Sequence, residues 1–522
     1  MFDLIIRNGK IFDGTGGPSF HADIAVKDGK IAKVSKVIRD SAEREIDAAG
    51  LTVTPGFIDS HAHNDSWVLL QPLQKEKIEQ GITTSIGGQC GGSPAPCTKK
   101  PEDCETIGEF GLACDVYKDM GTFLSIAKTV PQGANSMVLI GHNTVRNAVM
   151  GNAFRAPTEQ ELNKMKDYVR DAMEHGALGL SFGLGYNPGC YSDVPEMAAL
   201  AKVAAEYGGV VTAHIRNEGD NVAAAVKEFL QVLRESGARG VVSHLKSSDR
   251  EENWGKVHNL MRLIDEANAE GLDVYADVYP YNAYNTSLLP IFAPIEFRAN
   301  TKEVMIEELK KPEVRAQLRK RNVERYGRED LDWVQLNTIV NAPQYEGKRM
   351  SEVAEMMGKE DHYDALFDLL IINNLNGMAC YFGISDDDVC AIMGYERAMI
   401  GTDSGVGRPG LTRYHPRLRG SFPRTLGRYV REKGACTMPE MIRKMTSMPA
   451  AVYGLDTKGL IKVNMDADIC IFDEDKIIDG SDYAHCDLKN HGLSYVIVGG
   501  KIAVIDGDAT GEKGGRVITR EF

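Results

Sequence analysis

Residues 55–63 read Pro55-Gly56-Phe57-Ile58-Asp59-Ser60-His61-Ala62-His63, an apolar run that ends in two histidines one residue apart. In extended chain, residues i and i+2 face the same way, so His61 and His63 leave a strand end together. Far along the chain, Ile400-Gly401-Thr402-Asp403-Ser404-Gly405 puts an aspartate after another short apolar run. Between them, His214 closes Val210-Val211-Thr212-Ala213 and His244 closes Val241-Val242-Ser243. Cys90 lies in Ile86-Gly87-Gly88-Gln89-Cys90-Gly91-Gly92, where glycines leave room around a thiolate. Such side chains at the ends of separate strands meet at one point in a parallel (β/α)8 barrel, at its C-terminal mouth. The fold class that follows is α/β, a TIM-like barrel.

The rest of the chain fits that frame. Strand-like runs recur at Thr83-Thr84-Ser85-Ile86, Ser136-Met137-Val138-Leu139-Ile140, Leu178-Gly179-Leu180-Ser181, Gly240-Val241-Val242-Ser243, Val274-Tyr275-Ala276-Asp277-Val278 and Ala398-Met399-Ile400. Helical patterns separate most of them, as at 159–174 and 221–235, which is the alternation of a parallel barrel. From about residue 287 to 351 the rhythm breaks into charged helical sequence such as 302–321, an insertion beside the site with the makings of a lid. Short β-rich runs with Asn8-Gly9 and Asp28-Gly29 turns open the chain, and a similar stretch closes it from Ile469 to Ile505. These predict one discontinuous β-sandwich from residues 1–58 and 451–522, around a catalytic barrel at 59–450.

A chain of 522 residues is long enough for one large barrel and a smaller companion. Net charge is −14 with the two signs interleaved, so the basic footprint of a nucleic-acid binder is missing and a small-molecule partner is favoured. The N-terminus lacks the basic start and long apolar stretch of a signal peptide, and no run reaches the ~18 apolar residues of a membrane span. The expected location is cytoplasmic, with most of the ten cysteines reduced. Cys90, Cys97, Cys104 and Cys114 invite a structural-zinc site, but structural thiolates usually pair two to four residues apart. Whether the chain forms a homo-oligomer is left open by the sequence.

Imidazole and thiolate donors suit zinc, and an open coordination position would hold a reactive water. Asp403 is then the candidate general base and general acid, able to touch a metal and move the water's proton. Each residue also has a plainer role. A lone strand-end histidine is more often packing, a lone cysteine a buried apolar residue, and a Gly-flanked aspartate a turn or helix cap. Their shared place at the carboxyl ends of strands raises the metal reading above these. His142, after Ile140-Gly141, is a further residue beside the site or facing substrate, whereas His21, His175, His258, His362, His485 and His491 read as surface or packing.

With these residues in view, the chain resembles the amidohydrolase superfamily, and within it the D-aminoacylase (N-acyl-D-amino-acid deacylase) group. Many amidohydrolases carry a bridging lysine on the fourth strand, but Leu178-Gly179-Leu180-Ser181-Phe182-Gly183 offers none. Gln89-Cys90-Gly91-Gly92-Ser93-Pro94-Ala95-Pro96 instead resembles the segment with the D-aminoacylase cysteine ligand. The resemblance implies a tight zinc site at Cys90, His214 and His244, and a second, weaker site at His61, His63 and Asp403. Ser243-His244-Leu245-Lys246 and Tyr279-Pro280-Tyr281 are similar to segments whose lysine and first tyrosine meet the substrate carboxylate. His415-Pro416-Arg417 looks like the stretch that supplies a second cation, and Tyr186 matches a tyrosine near the metal. Tyr284 and Asn285 stand where small residues occur in that group, so the pocket shape differs.

The implied activity is zinc-dependent hydrolysis of the amide bond of N-acyl-D-amino acids. Two alternatives stand beside it. One is cyclic-amide hydrolysis of the dihydroorotase or hydantoinase kind, against which Cys90 and the missing lysine count. The other is a non-catalytic scaffold that keeps the fold, against which the intact ligand set counts.

Overall fold

The chain opens with five strands: β1 (Phe2–Ile11), β2 (Phe20–Lys27), β3 (Lys30–Ser35), β4 (Ala42–Asp47) and β5 (Thr52–Pro55). The computed structural model describes residues 1–98, 117–407 and 413–520. Asp28-Gly29, marked by the sequence as a hairpin turn, joins β2 to β3 with φ of 49° and 72°. Positive φ at both positions is what a two-residue hairpin requires, and it matches the twist of the flanking strands.

Next come β6 (Phe57–Asp59), β7 (Ile82–Gly87), β8 (Asn135–Val138) and its continuation β9 (Ile140–Gly141), β10 (Gly179–Gly183), β11 (Val210–His214), β12 (Arg239–Val242) and β13 (Val274–Val278). All pair in parallel, and the Leu178 amide donates to Val138 O at 2.9 Å to carry β8 onto β10. Most positions on these strands are buried whichever way they point, as expected where helices cover one face and the barrel interior the other. The intervening helices start on clear signals. Thr158 and Glu161 form a reciprocal capping box at Glu159–Glu174, and Asp193 caps Val194–Glu206.

Between β13 and the last barrel strand the chain makes a three-stranded antiparallel sheet, β14 (Tyr284–Ser287), β15 (Val334–Leu336) and β16 (Met378–Tyr381), in the order β14-β16-β15. The interruption therefore runs past residue 351, because β16 returns to pair with β14. The helical stretch at 302–321 is two helices, Lys302–Leu309 and Pro312–Tyr326. Pro312 causes the break, since its ring suits the first helical position and cannot continue a helix. β17 (Ala398–Ile400) then pairs with β13, and the seam to β6 closes through Ser60 N to Ile400 O at 3.3 Å and a parallel bridge between Ala62 and Ser404.

The return segment supplies β18 (Ile469–Phe472), β19 (Leu493–Val498), β20 (Lys501–Ile505) and β21 (Asp508–Ala509). β18 pairs antiparallel with β5, so both termini join strand to strand in one nine-stranded sheet. Alternation along β18 decides what each face buries. Ile469 and Ile471 enter the sheet's own core with Leu4, Ile6 and Ile24, whereas Cys470 and Phe472 enter the barrel core. Phe472 lies 6.3 Å from Phe57, centroid to centroid, and Phe57 stacks on Phe422 at 5.6 Å. A one-residue slip would turn Phe472 away from the barrel, which fixes the register. Among the described residues, no helix is long and apolar enough to cross a membrane.

Candidate active site

The carboxyl ends of the barrel strands open into a cavity of about 210 Å³ whose lining includes His63, Cys90, His214, His244 and Asp403. Its floor is held by a fully buried ion pair in which Lys77 Nζ donates to Asp59 Oδ2 at 2.8 Å and to Thr402 Oγ1 at 2.8 Å. Asp59 also accepts from the Thr402 amide at 2.8 Å. These bonds lock β6 to β17 directly below His61 and Asp403. Three of the converging residues are non-glycine residues in the left-handed region: Cys90 (φ 52°), His244 (φ 36°) and Asp403 (φ 48°). Such conformations cost about 1–3 kcal/mol each and persist where surrounding structure enforces them, which is typical of functional sites.

Donor atoms meet closely there. Cys90 Sγ lies 3.4 Å from His244 Nε2, 3.3 Å from His61 Nε2 and 3.9 Å from His214 Nδ1. His214 Nδ1 and His244 Nε2 are 2.9 Å apart. His63 Nε2 is 3.1 Å from Asp403 Oδ1, and His61 Nε2 is 3.6 Å from the same oxygen. Four ligand atoms, from His61, Cys90, His244 and Asp403, fall within 4.8 Å of one another, and His214, Glu218 and His244 make a second such group. Zinc–nitrogen and zinc–sulfur bonds of ~2.0–2.3 Å place tetrahedral ligands about 3.3–3.8 Å apart, close to the spacings around Cys90.

The contacts behind these candidate ligands suit the same ion. His61 Nδ1 donates to Asp277 Oδ2 at 3.3 Å, which leaves the Nε2 lone pair facing Cys90. His244 Nδ1 lies 3.0 Å from Glu218 Oε1 and 2.9 Å from Lys246 Nζ. Donation to Glu218 is the arrangement that frees Nε2 as a ligand, with Lys246 donating to Glu218 at 2.6 Å. Gly185 leaves space for the His214 ring, because a Cβ there would come 2.8 Å from Nε2. Burial lowers His63 to about 4 and His244 to about 3, with Lys246 adding to the fall at His244, whereas at His61 Asp277, Asp403 and Asp59 outweigh burial and raise the imidazole above its usual value. Burial also pushes the Cys90 thiol up, aided by the nearby carboxylates. A divalent cation reverses that preference by binding the thiolate. At Asp403 burial favours the neutral acid, but Arg417 and the histidines outweigh it and hold the carboxyl well below its usual range.

The other expected residues take distinct places. The Tyr186 ring lies tilted against His214, 4.7 Å between centroids, and its hydroxyl meets Thr286 Oγ1 at 3.1 Å. Lys246 and Arg417 flank the Tyr279 ring at 5.7 and 4.9 Å, and the buried Tyr279 hydroxyl has no hydrogen-bond partner among the described residues. Arg417 is turned toward Asp403: Nη1 donates to Asp403 Oδ2 at 2.7 Å and Nη2 to Asn285 O at 3.4 Å. His142 lies away from the cavity, bonded to Glu196 Oε1 at 2.8 Å beside Arg146. Cys104 and Cys114 of the four-cysteine reading fall outside the described residues.

Two residues that position candidate ligands escaped the sequence reading. Asp277 accepts from the His244 amide at 2.6 Å as well as from His61, and its place on a barrel strand was the signal available. Glu218, four residues past His214, gave no signal beyond an acid in a loop.

The amidohydrolase family matches residues 44–504. The chain belongs to that family. An N-acyl-D-glutamate deacylase of Alcaligenes xylosoxydans xylosoxydans is 34% identical over 99% of this chain and 97% of that protein. A D-aminoacylase of the same organism is 31% identical over 99% and 98%. Among solved structures, an N-acyl-D-glutamate deacylase of Bordetella bronchiseptica, complexed with zinc and a phosphonate inhibitor that mimics the tetrahedral intermediate, superposes with a TM-score of 0.83. It is 32% identical and covers 99% of this chain and 100% of its own. Amidohydrolase ancestry thus spans both the barrel and the terminal sheet.

Proposed function

We propose that this amidohydrolase is a zinc-dependent N-acyl-D-amino-acid deacylase that cleaves the linear amide to a carboxylate and a free D-amino acid. The observation that carries the reading is the meeting of Cys90, His214 and His244 beside Asp403 in one cavity, in a chain similar along its whole length to deacylases of this kind. Cys90, His214 and His244 would hold one tight zinc, and His61, His63 and Asp403 a weaker second ion. What zinc supplies when bound is Lewis acidity toward the acyl carbonyl and a lowered pKa for water.

The chain's own side chains account for the rest. Asp403 accepts the water proton at a carboxylate oxygen and returns it to the leaving nitrogen, a relay its charged state permits. Arg417 and His63 hold that carboxylate in place. The substrate α-carboxylate is read by the cluster around Tyr279, where the unpartnered hydroxyl, the Lys246 ammonium and the Arg417 Nη2 arm come together. Guanidinium groups suit planar carboxylates. With carboxylate and scissile carbonyl both pinned, only one enantiomer places its side chain in the open part of the cavity, and a misplacement of about 1 Å can cost ~10²-fold in rate.

β10, the fourth barrel strand, is Gly179-Leu180-Ser181-Phe182-Gly183 and presents no lysine, which disfavours cyclic-amide hydrolysis by a lysine-bridged metal pair. A screen of N-acetyl-D- and N-acetyl-L-amino acids tests the proposal. Turnover of D substrates at least about 10²-fold above L supports it. Equal turnover of both enantiomers, or hydrolysis of hydantoins and dihydroorotate instead, would overturn it.

A further inference from the structure

The cavity holds about 210 Å³, below the ~300–1,000 Å³ common for small-molecule sites, and part of its wall is a tyrosine that neither the metal set nor the carboxylate anchor uses. Tyr284 opens β14 and is only 7% exposed. Alternation along the strand turns Tyr284 and Thr286 to one face, and both line the cavity. Thr286 Oγ1 meets the Tyr186 hydroxyl, and the Tyr186 ring lies against His214, so this face of β14 looks toward the candidate metal. Tyr284 also borders the α-carboxylate anchor. The next residue, Asn285, accepts Arg417 Nη2 at its carbonyl, and Asp249, which accepts the Tyr284 hydroxyl at 2.8 Å, is three residues past Lys246. The substrate Cα is one bond from the α-carboxylate. Of the two variable substituents, the amino-acid side chain on Cα therefore lies nearer this wall than the acyl chain, which extends beyond the scissile carbonyl.

The wall is stiff. The Tyr284 ring stacks on Tyr381, its register partner across β14 and β16, with centroids 4.9 Å apart and planes at 17°. Asp249 also takes Ser248 Oγ at 3.3 Å and Arg325 Nη2 at 3.5 Å, so the loop after β12, β14 and the helix Pro312–Tyr326 meet at one carboxylate. Gly219 and Gly383 press close on it: a Cβ at Gly219 would come 2.8 Å from Oδ2, and one at Gly383 3.2 Å from the Asp249 amide nitrogen. Burial and the Asp249 carboxylate push the Tyr284 phenol well up, so the hydroxyl stays a donor. A charge-assisted bond at the hydroxyl and a stacked partner on the ring together hold Tyr284 against an incoming side chain.

We propose that the Tyr284 ring, pinned between Asp249 and Tyr381, is the end wall of the pocket for the amino-acid side chain and limits the substrate to N-acyl derivatives of small D-amino acids such as alanine. This rests on the deacylase reading above and adds a size limit to it. Tyr284 sets specificity by excluded volume, and Asp249 and Tyr381 act through it by keeping the ring in place.

The test uses zinc-loaded, full-length protein and two substrate series. One lengthens the side chain through the N-acetyl derivatives of D-alanine, D-leucine and D-phenylalanine, and the other lengthens the acyl group of D-alanine from acetyl to butanoyl and hexanoyl. Wild-type kcat/KM should be at least ~100-fold higher for N-acetyl-D-alanine than for N-acetyl-D-phenylalanine, since one extra methylene in a fitted pocket already costs ~10- to 200-fold. Tyr284→Leu and Tyr284→Ala should lower that ratio in turn, by at least ~10-fold in Tyr284→Ala, through faster cleavage of the larger substrate. Tyr284→Phe keeps the ring and should keep most of the ratio, which separates excluded volume from loss of the hydroxyl bond. Zinc content and circular dichroism confirm the fold of each variant. A wild-type ratio within about twofold of unity, with D substrates cleaved, would overturn the wall and leave the deacylase reading standing. So would a strong ratio that survives in a folded Tyr284→Leu or Tyr284→Ala protein, or a relaxation seen only in the acyl series. Failure to cleave any substrate of either series would bring down both.

Discussion

Replacing Asp277 by Asn probes how one carboxylate holds two candidate metal-ligand residues. Oδ1 accepts the His244 amide at 2.6 Å and Oδ2 accepts His61 Nδ1 at 3.3 Å, with Asp277 only 1% exposed. Asn has the same shape but one acceptor and one NH2. If the amide oxygen stays on His244, the NH2 faces His61 Nδ1, which must then accept. The His61 proton moves to Nε2, the nitrogen 3.3 Å from Cys90 Sγ, and that lone pair is lost. If the amide is flipped, its NH2 opposes the His244 N–H and leaves a buried donor unsatisfied, at about 1–3 kcal/mol. Loss of partners behind metal ligands typically costs ~10- to 100-fold in affinity or activity. Tenfold corresponds to about 1.4 kcal/mol, so the two estimates agree. Asp277→Asn should therefore lower zinc retention against a competing chelator and kcat/KM by about 10- to 100-fold in protein that remains folded by circular dichroism. Retention and turnover both within about twofold of wild type would refute this role for the carboxylate.

Further outcomes follow from individual contacts. Cys90→Ser should lower zinc content and activity together, and full zinc with unchanged turnover would remove Cys90 from the ligand set. Asp403→Asn should keep the tight zinc yet lose ~10² to 10⁴ in kcat, because an amide cannot take and return the water proton. Turnover within a few-fold of wild type would place proton transfer elsewhere. Arg417→Met should lower kcat for every substrate by loosening Asp403, and lower kcat/KM further for substrates with a free α-carboxylate than for amide-capped ones. Equal losses for both would leave Arg417 positioning Asp403 alone.

The strand-end positions of His61, His63, Cys90, His214, His244 and Asp403 were legible because a parallel barrel brings strand ends together by topology alone. Any chain that alternates β and α in this way must point those residues at one mouth. The amphipathic helix at Glu159–Glu174 was equally legible, because its 3.6-residue period and capping box are local properties. The reach of the insertion was not, since β16 pairs with β14 across more than ninety intervening positions and nothing local marks that partnership.

The site divides along the same line. Residue type and strand position marked the candidate ligands, whereas Asp277 and Glu218 became visible only through the atoms they touch. Arg417 was expected from the sequence as a substrate cation, but only the tertiary structure placed it on Asp403. Arg298 and Arg321 read in the sequence as ordinary charges of a helical insertion. Folding the insertion over the barrel mouth makes them cavity walls. Local sequence thus determined which residues end strands with side chains suited to a metal, and packing of distant segments decided their neighbours and the charges around them.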